Sequence, residues 1–184
     1  MYTFNDAPTQ RMQNGIQAAS GLGGGVTWQG DADNEFVFGS EWNDILMGEA
    51  GDDEVSGFEG DDKIFGGDGN NKLFGDAGND LIYAFGENRT DGAMDDKNLL
   101  SGGSGNDKLY GDKGADALFG GTGHDYISGA GVVATAALGS DVMHGEDGDD
   151  VLVAAIEGSH ELSGGNGDDI LLAGRSSSFS NYPR

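Results

Sequence analysis

Residues 102–128 read GGSGNDKLY GDKGADALF GGTGHDYIS, three blocks of nine standing end to end. Each block opens with glycine and carries glycine at its fourth place, aspartate at its sixth and a large apolar residue at its eighth. The same step runs through most of the chain. From Gly39 five blocks follow without a gap: GSEWNDILM, GEAGDDEVS, GFEGDDKIF, GGDGNNKLF and GDAGNDLIY. Residues 84–101 lose most of the glycines but keep the length, so Leu100 still lands on an eighth place. GAGVVAT (129–135) reads as an insertion, after which AALGSDVMH and GEDGDDVLV (136–153) resume the pattern. Ala154 is one extra residue before AIEGSHELS and GGNGDDILL (155–172) close the array, and QGDADNEFV (29–37) reads as a degenerate first copy.

Two registers persist together. The eighth places are Phe36, Leu46, Val55, Ile64, Leu73, Ile82, Leu100, Leu109, Leu118, Ile127, Met143, Leu152, Leu162 and Leu171, all apolar. The sixth places are Asp44, Asp53, Asp62, Asn71, Asp80, Asp107, Asp116, Asp125, Asp141, Asp150 and Asp169, with Asn34, Asn98 and His160 as weaker members. A disordered acidic chain, the reading that charge and glycine content alone would favour, has no reason to keep both registers.

The spacing dictates the local structure. Six residues rich in Gly, Asp and Asn suit neither a strand nor a helix interior; they make a turn with several positive φ angles. Glycine takes those freely, and Asp or Asn at the fifth places (Asp52, Asp61, Asn70, Asn79, Asn106, Asp149, Asp168) tolerates them next best. The last three residues are strand-like, with the eighth pointing one way and its neighbours the other. Two units return the chain to its starting side, so stacked copies form two parallel sheets with the eighth residues between them. This is an all-β parallel β-roll, a two-sheet solenoid that buries a core only by stacking. About eight rungs at about 4.8 Å give a rod of roughly 38 Å.

In such a stack each sixth-place carboxylate lies above the one two units earlier: Asp44, Asp62 and Asp80 on one edge, Asp53 and Asn71 on the other. Stacked carboxylates repel unless a cation separates them, and glycine turns leave carbonyl oxygens without sheet partners. Carboxylates with backbone carbonyls are hard oxygen ligands of adjustable geometry, which suits calcium rather than zinc or copper. The candidate metal-holding residues are therefore the sixth places from Asp44 to Asp169, with the first- and fourth-place glycines of the turns. These are Gly48, Gly51, Gly57, Gly60, Gly66, Gly69, Gly75, Gly78, Gly102, Gly105, Gly111, Gly114, Gly120, Gly123, Gly145, Gly148, Gly164 and Gly167. Charge agrees. With 33 acidic against 9 basic residues the chain carries −24, which opposes nucleic acid and anionic membranes and favours cations. About eight Ca²⁺ ions would carry roughly +16. There is no cysteine, hence no disulfide and no thiolate metal site.

GGSGNDKLY, GGTGHDYIS and GGNGDDILL match the pattern G-G-x-G-x-D-x-U-x at every defined place, and on these blocks the chain resembles the RTX (repeats-in-toxin) family over roughly 29–172. The resemblance implies a calcium-bound β-roll that is disordered without calcium. It also implies export by bacterial type I secretion, with a secreted or cell-surface location. MYTFNDAPTQRMQNGIQAAS has no apolar core of the kind a Sec signal needs, which is consistent with that route. Asn71, His160 and the block 84–101 depart from the pattern. Coupling of folding to calcium follows independently. Fourteen inward side chains at about 1.5–3 kcal/mol each make a thin core, against glycine-rich backbone entropy and self-repulsion. An ion bound only by the folded state tips that balance.

The remaining residues suggest surfaces rather than chemistry. Ile45 and Met47, Val151 and Val153, and Ile170 and Leu172 put apolar groups on the outer face, a candidate surface for self-association. Phe65, Phe74, Tyr83, Tyr110 and Phe119 occupy ninth places and are expected to pack over adjacent turns. Residues 1–28 precede the repeat; DAPTQRMQNGIQAA has the spacing of a short helix with Met12, Ile16 and Ala19 on one side, read as a cap over the solenoid end. Residues 173–184 form a short polar tail. His124, His144 and His160 show no catalytic or metal-ligand spacing and no nucleophile elbow is present, so no catalytic role is expected. Two readings follow: a self-assembling structural protein ordered by calcium, or a monomeric calcium-triggered folding, secretion or adhesion module, either free or within a larger toxin, adhesin or enzyme.

Overall fold

The computed structural model describes residues 16–17, 24–87, 96–130, 139–172 and 178–180. They hold seventeen strands and no helix: β1 (Ile16–Gln17), β2 (Thr27–Gln29), β3 (Phe36–Phe38), β4 (Ile45–Ala50), β5 (Glu54–Glu59), β6 (Lys63–Asp68), β7 (Lys72–Ala77), β8 (Leu81–Tyr83), β9 (Leu99–Ser104), β10 (Lys108–Tyr110), β11 (Ala117–Thr122), β12 (Tyr126–Ser128), β13 (Val142–Asp147), β14 (Val151–Val153), β15 (Glu161–Asn166), β16 (Ile170–Leu172) and β17 (Ser178–Ser180). Odd-numbered strands pair in chain order as one nine-stranded sheet, and even-numbered strands as an eight-stranded one. Every pairing is parallel, as in β4 with β6, where Leu46 faces Ile64 at a separation of eighteen residues. The architecture is the parallel β-roll that the repeat requires.

The eighth-place residues from Leu46 to Leu162 are fully buried in one continuous file between the sheets, and Leu171 packs half-buried at its end. Alternation does this: in β4 the residues flanking Leu46, Ile45 and Met47, are only half-buried. At the N-terminal end the register differs from that read in the sequence. Val37 is 0 % exposed and Phe36 51 %, so the first copy runs over 30–38 and Glu35 takes its sixth place. The strand pairing also continues past 29–172. Trp28 of β2 enters the core, Ile16–Gln17 add a strand beside β3, and Ser178–Ser180 pair with β15. Ile16 and Gln17 are therefore strand, not the helix their spacing suggested; Met12 and Ala19, like the tail apart from β17, lie outside the described residues.

The block 84–101 keeps its length for a different reason than a hidden rung. β8 pairs directly with β10, and β7 with β9, across twenty-seven residues, nine more than the eighteen of the regular rungs. Ala84 and Phe85 are buried as the chain leaves the sheet. Past the insertion after 128 the ladder separation becomes twenty-five, and past Ala154 nineteen.

On the outer face of the even-stranded sheet, Phe65 stacks on Tyr83 at 5.0 Å and Tyr83 on Tyr110 at 5.1 Å, while Phe119 stacks on His144 on the other sheet. Phe65, Tyr83, Tyr110 and Phe119 thus pack against rings of adjacent rungs. Val151 and Val153 are half-buried, whereas Ile170 and Leu172 on β16, the last strand of its sheet, are exposed.

Candidate metal sites

The turns stack along two edges. Turns on the first edge lead from the odd-stranded to the even-stranded sheet and carry Asp44, Asp62, Asp80, Asp107, Asp125, Asp150 and Asp169. Those on the second edge return and carry Glu35, Asp53, Asn71, Asn98, Asp116, Asp141 and His160. Local structure places these side chains inside. The second and fourth residues of the regular turns take positive φ, Gly103 at 108° and Gly105 at 128° in one example, which rolls the sixth residue back under its own turn. Glu49, Phe58, Asp76 and Glu146 hold the same second-place conformation without being glycine. The fifth places, expected to supply positive φ, do not. Instead Asp61 Oδ1 accepts the Asn79 N–H at 2.8 Å and Asn79 Oδ1 the Asn106 N–H at 2.9 Å, an exposed ladder along the edge.

The sixth-place side chains form a buried ladder running the opposite way. On the first edge the N–H of Asp44 donates to Asp62 Oδ1, Asp62 to Asp80, Asp80 to Asp107, Asp107 to Asp125, Asp125 to Asp150 and Asp150 to Asp169, at 2.7–3.0 Å. Each carboxylate thereby spends one oxygen on the neighbouring rung. The second oxygen, Oδ2 of Asp62, Asp80, Asp107, Asp125, Asp150 and Asp169, is buried with no hydrogen-bond partner. A buried carboxylate oxygen without a donor costs several kcal/mol if charged, so it neutralises or meets a cation. Burial, with the charge of stacked neighbours adding to it, pushes Asp62 up to about 8, Asp107 to about 7 and Asp80 and Asp150 to about 6; Asp125 is raised as well.

First-place glycines lie against these oxygens. A Cβ at Gly120 would lie 2.7 Å from the carbonyl of Gly145 one rung on and would overlap Asp125 Oδ2, so the first-place glycines must stay bare. The fourth-place carbonyls of Gly60, Gly78, Gly105 and Gly123 accept no backbone hydrogen bond among the described residues. No three His, Asp or Glu side chains converge among the described residues, so any cation here takes its ligands mainly from the backbone. One or two carboxylates with bare carbonyls form an oxygen-only donor set, which fits calcium.

Not every candidate turn has this form. In 39–44, Ser40 donates its N–H at 2.6 Å to Asp44 Oδ2 and its hydroxyl at 3.0 Å to Oδ1, which also accepts the Val26 N–H. In 111–116, Asp112 donates its N–H at 2.8 Å to Asp116 Oδ2, while Asn98 donates twice to Oδ1. The carboxylates of Asp44 and Asp116, counted among the metal candidates, are therefore satisfied by protein donors, and Gly111 and Gly114 stand in a closed turn. Asn71 presents its Nδ2 to the carbonyl of Gly69 at 3.2 Å, a donor where the other open turns have a bare oxygen. Sequence reading could not distinguish these turns by their sixth residue; the signal lay in the second, Ser40 and Asp112 in place of a residue with positive φ. It also passed over Asp112, buried beside Asp116, which desolvation and the Asp116 charge push up to about 8.

Glu35, likewise absent from the candidate set, leaves Oε2 buried and unpartnered next to Asp53, whose Oδ2 is in the same condition. Burial and then the charge of Asp53 push Glu35 up to about 8. At the far end, His160 Nδ1 accepts the Asp141 N–H at 3.2 Å and lies 3.0 Å from Asp141 Oδ2, while Nε2 meets the carbonyl of Glu157 at 2.9 Å. Because a carbonyl only accepts, Nε2 carries the proton.

The model of the RTX calcium-binding nonapeptide repeat (4 copies) matches residues 29–57, 56–84, 93–127, 134–155 and 161–177. These segments cover more than half of the chain, and the chain belongs to that family: it is a calcium-binding repeat protein folded as a β-roll. The matched segments pass over 85–92. No curated protein matches the chain.

Proposed function

We propose that this chain is a secreted, non-enzymatic protein that folds when calcium binds and then serves a structural, self-assembling role. The observation that carries the folding step is the file of buried, unpartnered Oδ2 atoms from Asp62 to Asp169. Calcium supplies positive charge between stacked carboxylates. Asp62, Asp80, Asp107, Asp125, Asp150 and Asp169 would hold it together with first- and fourth-place glycine carbonyls. Without it these residues carry repelling charge in a desolvated file, and the chain has only a thin core to oppose that. Extracellular calcium modules bind at about 10⁻⁴–10⁻³ M, so the chain stays unfolded in a low-calcium cytoplasm and folds outside. Members of this family are typically exported by bacteria, which agrees with that order of events. No helix among the described residues is long and apolar enough to cross a membrane.

Assembly is supported by the C-terminal end of the even-stranded sheet. There β16 has no further partner among the described residues and exposes Ile170 and Leu172. An edge strand with exposed apolar residues is a template for another chain. The half-burial of Ile45, Met47, Val151 and Val153 favours the second reading, a monomeric folding or adhesion module, because it leaves only Ile170 and Leu172 of the candidate outward positions fully exposed. Far-ultraviolet circular dichroism and light scattering, recorded while calcium is added to chelator-stripped protein with magnesium as control, decide between them. Strand signal rising together with scattering supports the assembling protein. Folding without scattering supports the monomeric module, and no response to calcium overturns both.

A further inference from the structure

The two edges of the roll do not offer the same ligands. Six consecutive turns of the first edge, from 57–62 to 164–169, each leave a buried Oδ2 without a donor. The second edge is stitched differently at each rung. Asn71 accepts the Asp53 N–H through Oδ1 at 2.9 Å, which fixes its amide so that Nδ2 donates to Gly69 O. Asn98 donates Nδ2 at 3.1 Å to Asp116 Oδ1, and Asp116 Oδ2 takes the Asp112 N–H. Asp141 is followed by an imidazole, whose Nδ1 stands 3.0 Å from Asp141 Oδ2 in the position the other edge gives to a carboxylate. At the rungs of Asn71, Asn98 and Asp116 an N–H group of the protein fills the place next to the sixth-place side chain, whereas Asp141 Oδ2 stays buried without a donor, because Nδ1 already accepts the Asp141 N–H. An amide or backbone N–H directed at an acceptor supplies partial positive charge there, and it also excludes a cation from the same acceptor.

Resting on the calcium reading above, we infer that bound calcium lines the first edge, while the second edge from Asn71 to Asp116 is closed by protein hydrogen bonds and holds no ion. Elsewhere on the second edge the bare buried oxygens of Glu35 and Asp53, and that of Asp141, fit a cation. The roll then carries a row of ions along one side and, in the middle of the other, a proteinaceous seam.

The test is an ion count by native mass spectrometry of the full chain refolded in calcium, with the calcium midpoint of folding read in parallel by circular dichroism. Asp116→Asn, in the closed stretch of the second edge, should leave the count unchanged and the midpoint within about twofold of the parent, whereas Asp141→Asn, with its bare oxygen, should lose one ion. Asp107→Asn, on the first edge, should lose at least one ion and raise the midpoint about tenfold, since affinity follows ligand charge. Asn71→Asp replaces a donor by a carboxylate oxygen in an open turn and should add one ion. An ion lost from Asp116→Asn, or none gained by Asn71→Asp, overturns the inference. Absence of any bound calcium in the parent overturns the calcium reading itself.

Discussion

Adjacent residues of each turn, the fifth and the sixth, build two ladders from the same side chains at the same separation, and the two behave oppositely. In the fifth-place ladder an N–H donates back to the previous rung, as Asn79 does to Asp61 at 2.8 Å. In the sixth-place ladder it donates forward, as Asp62 does to Asp80 at 2.8 Å. The first ladder faces water, and the hydrogen bonds it accepts from Asn70 and Asn79 hold Asp52 and Asp61 below the usual carboxylate range. The second lies under the turns, where desolvation outweighs the same kind of hydrogen bond and raises Asp62 and Asp80. A one-residue shift along the chain thus separates a solvated seam from a cation-demanding file. Burial, rather than residue type, makes the difference.

The largest effect should come from chelation. At pH 8 removal of calcium should abolish the strand signal in circular dichroism, because the sixth-place file is then charged and unpaired; magnesium should not restore it. Retention of full structure in chelator would mean that both ladders are merely structural.

Acid should partly reverse that loss. A sixth-place Asp with a folded value near 6–8 and an unfolded value near 3.8 binds more protons when folded, so metal-free stability falls as pH rises from about 4 through about 8. The exposed fifth places Asp52 and Asp61 are shifted down and have the opposite sign, but solvent screens them. Chelated protein should therefore show more strand signal at pH 5 than at pH 8. The reverse order would show that the fifth-place ladder dominates.

Substitution sharpens the contrast residue by residue. Asp80→Ala leaves the buried Asp62 N–H without its acceptor and removes a bare carboxylate, and should cost about 2–4 kcal/mol in chemical denaturation at saturating calcium. Asn79→Ala removes exposed bonds to Asn106 and Asp61 and should cost about 0.5–1 kcal/mol. Equal costs would remove the distinction. The smallest effect should have the opposite sign. Glu146, exposed and held at φ 78°, sits where other turns place glycine, and Glu146→Gly should stabilise by about 0.5 kcal/mol, read as a shift of the denaturation midpoint.

Much of this was legible in the residues because the repeat is local. Val55 and Leu162 occupy eighth places, the first between Glu54 and Ser56 and the second between Glu161 and Ser163, and a period-two strand leaves an apolar residue between polar neighbours only one face to bury. Where the local pattern blurred, reading failed for physical reasons. QGDADNEFVF offers three adjacent apolar residues, and only pairing with Val55 decides that Val37 rather than Phe36 turns inward. The nine extra residues between β8 and β9 are one whole repeat, so counting cannot reveal that β8 pairs directly with β10. The fifth places carry residue types that tolerate positive φ, yet their role proved to be as acceptors between rungs.

By itself, then, the nonapeptide step determined a parallel roll, an apolar file and stacked carboxylates, because spacing controls which way successive side chains point. Tertiary structure decided which carboxylate oxygens remain bare. Asp44 and Asp62 are equivalent sixth places, but Ser40 folds its N–H and hydroxyl onto the first, while nothing reaches Oδ2 of the second. That outcome depends on the φ of a residue four positions earlier and on the rung stacked beyond it.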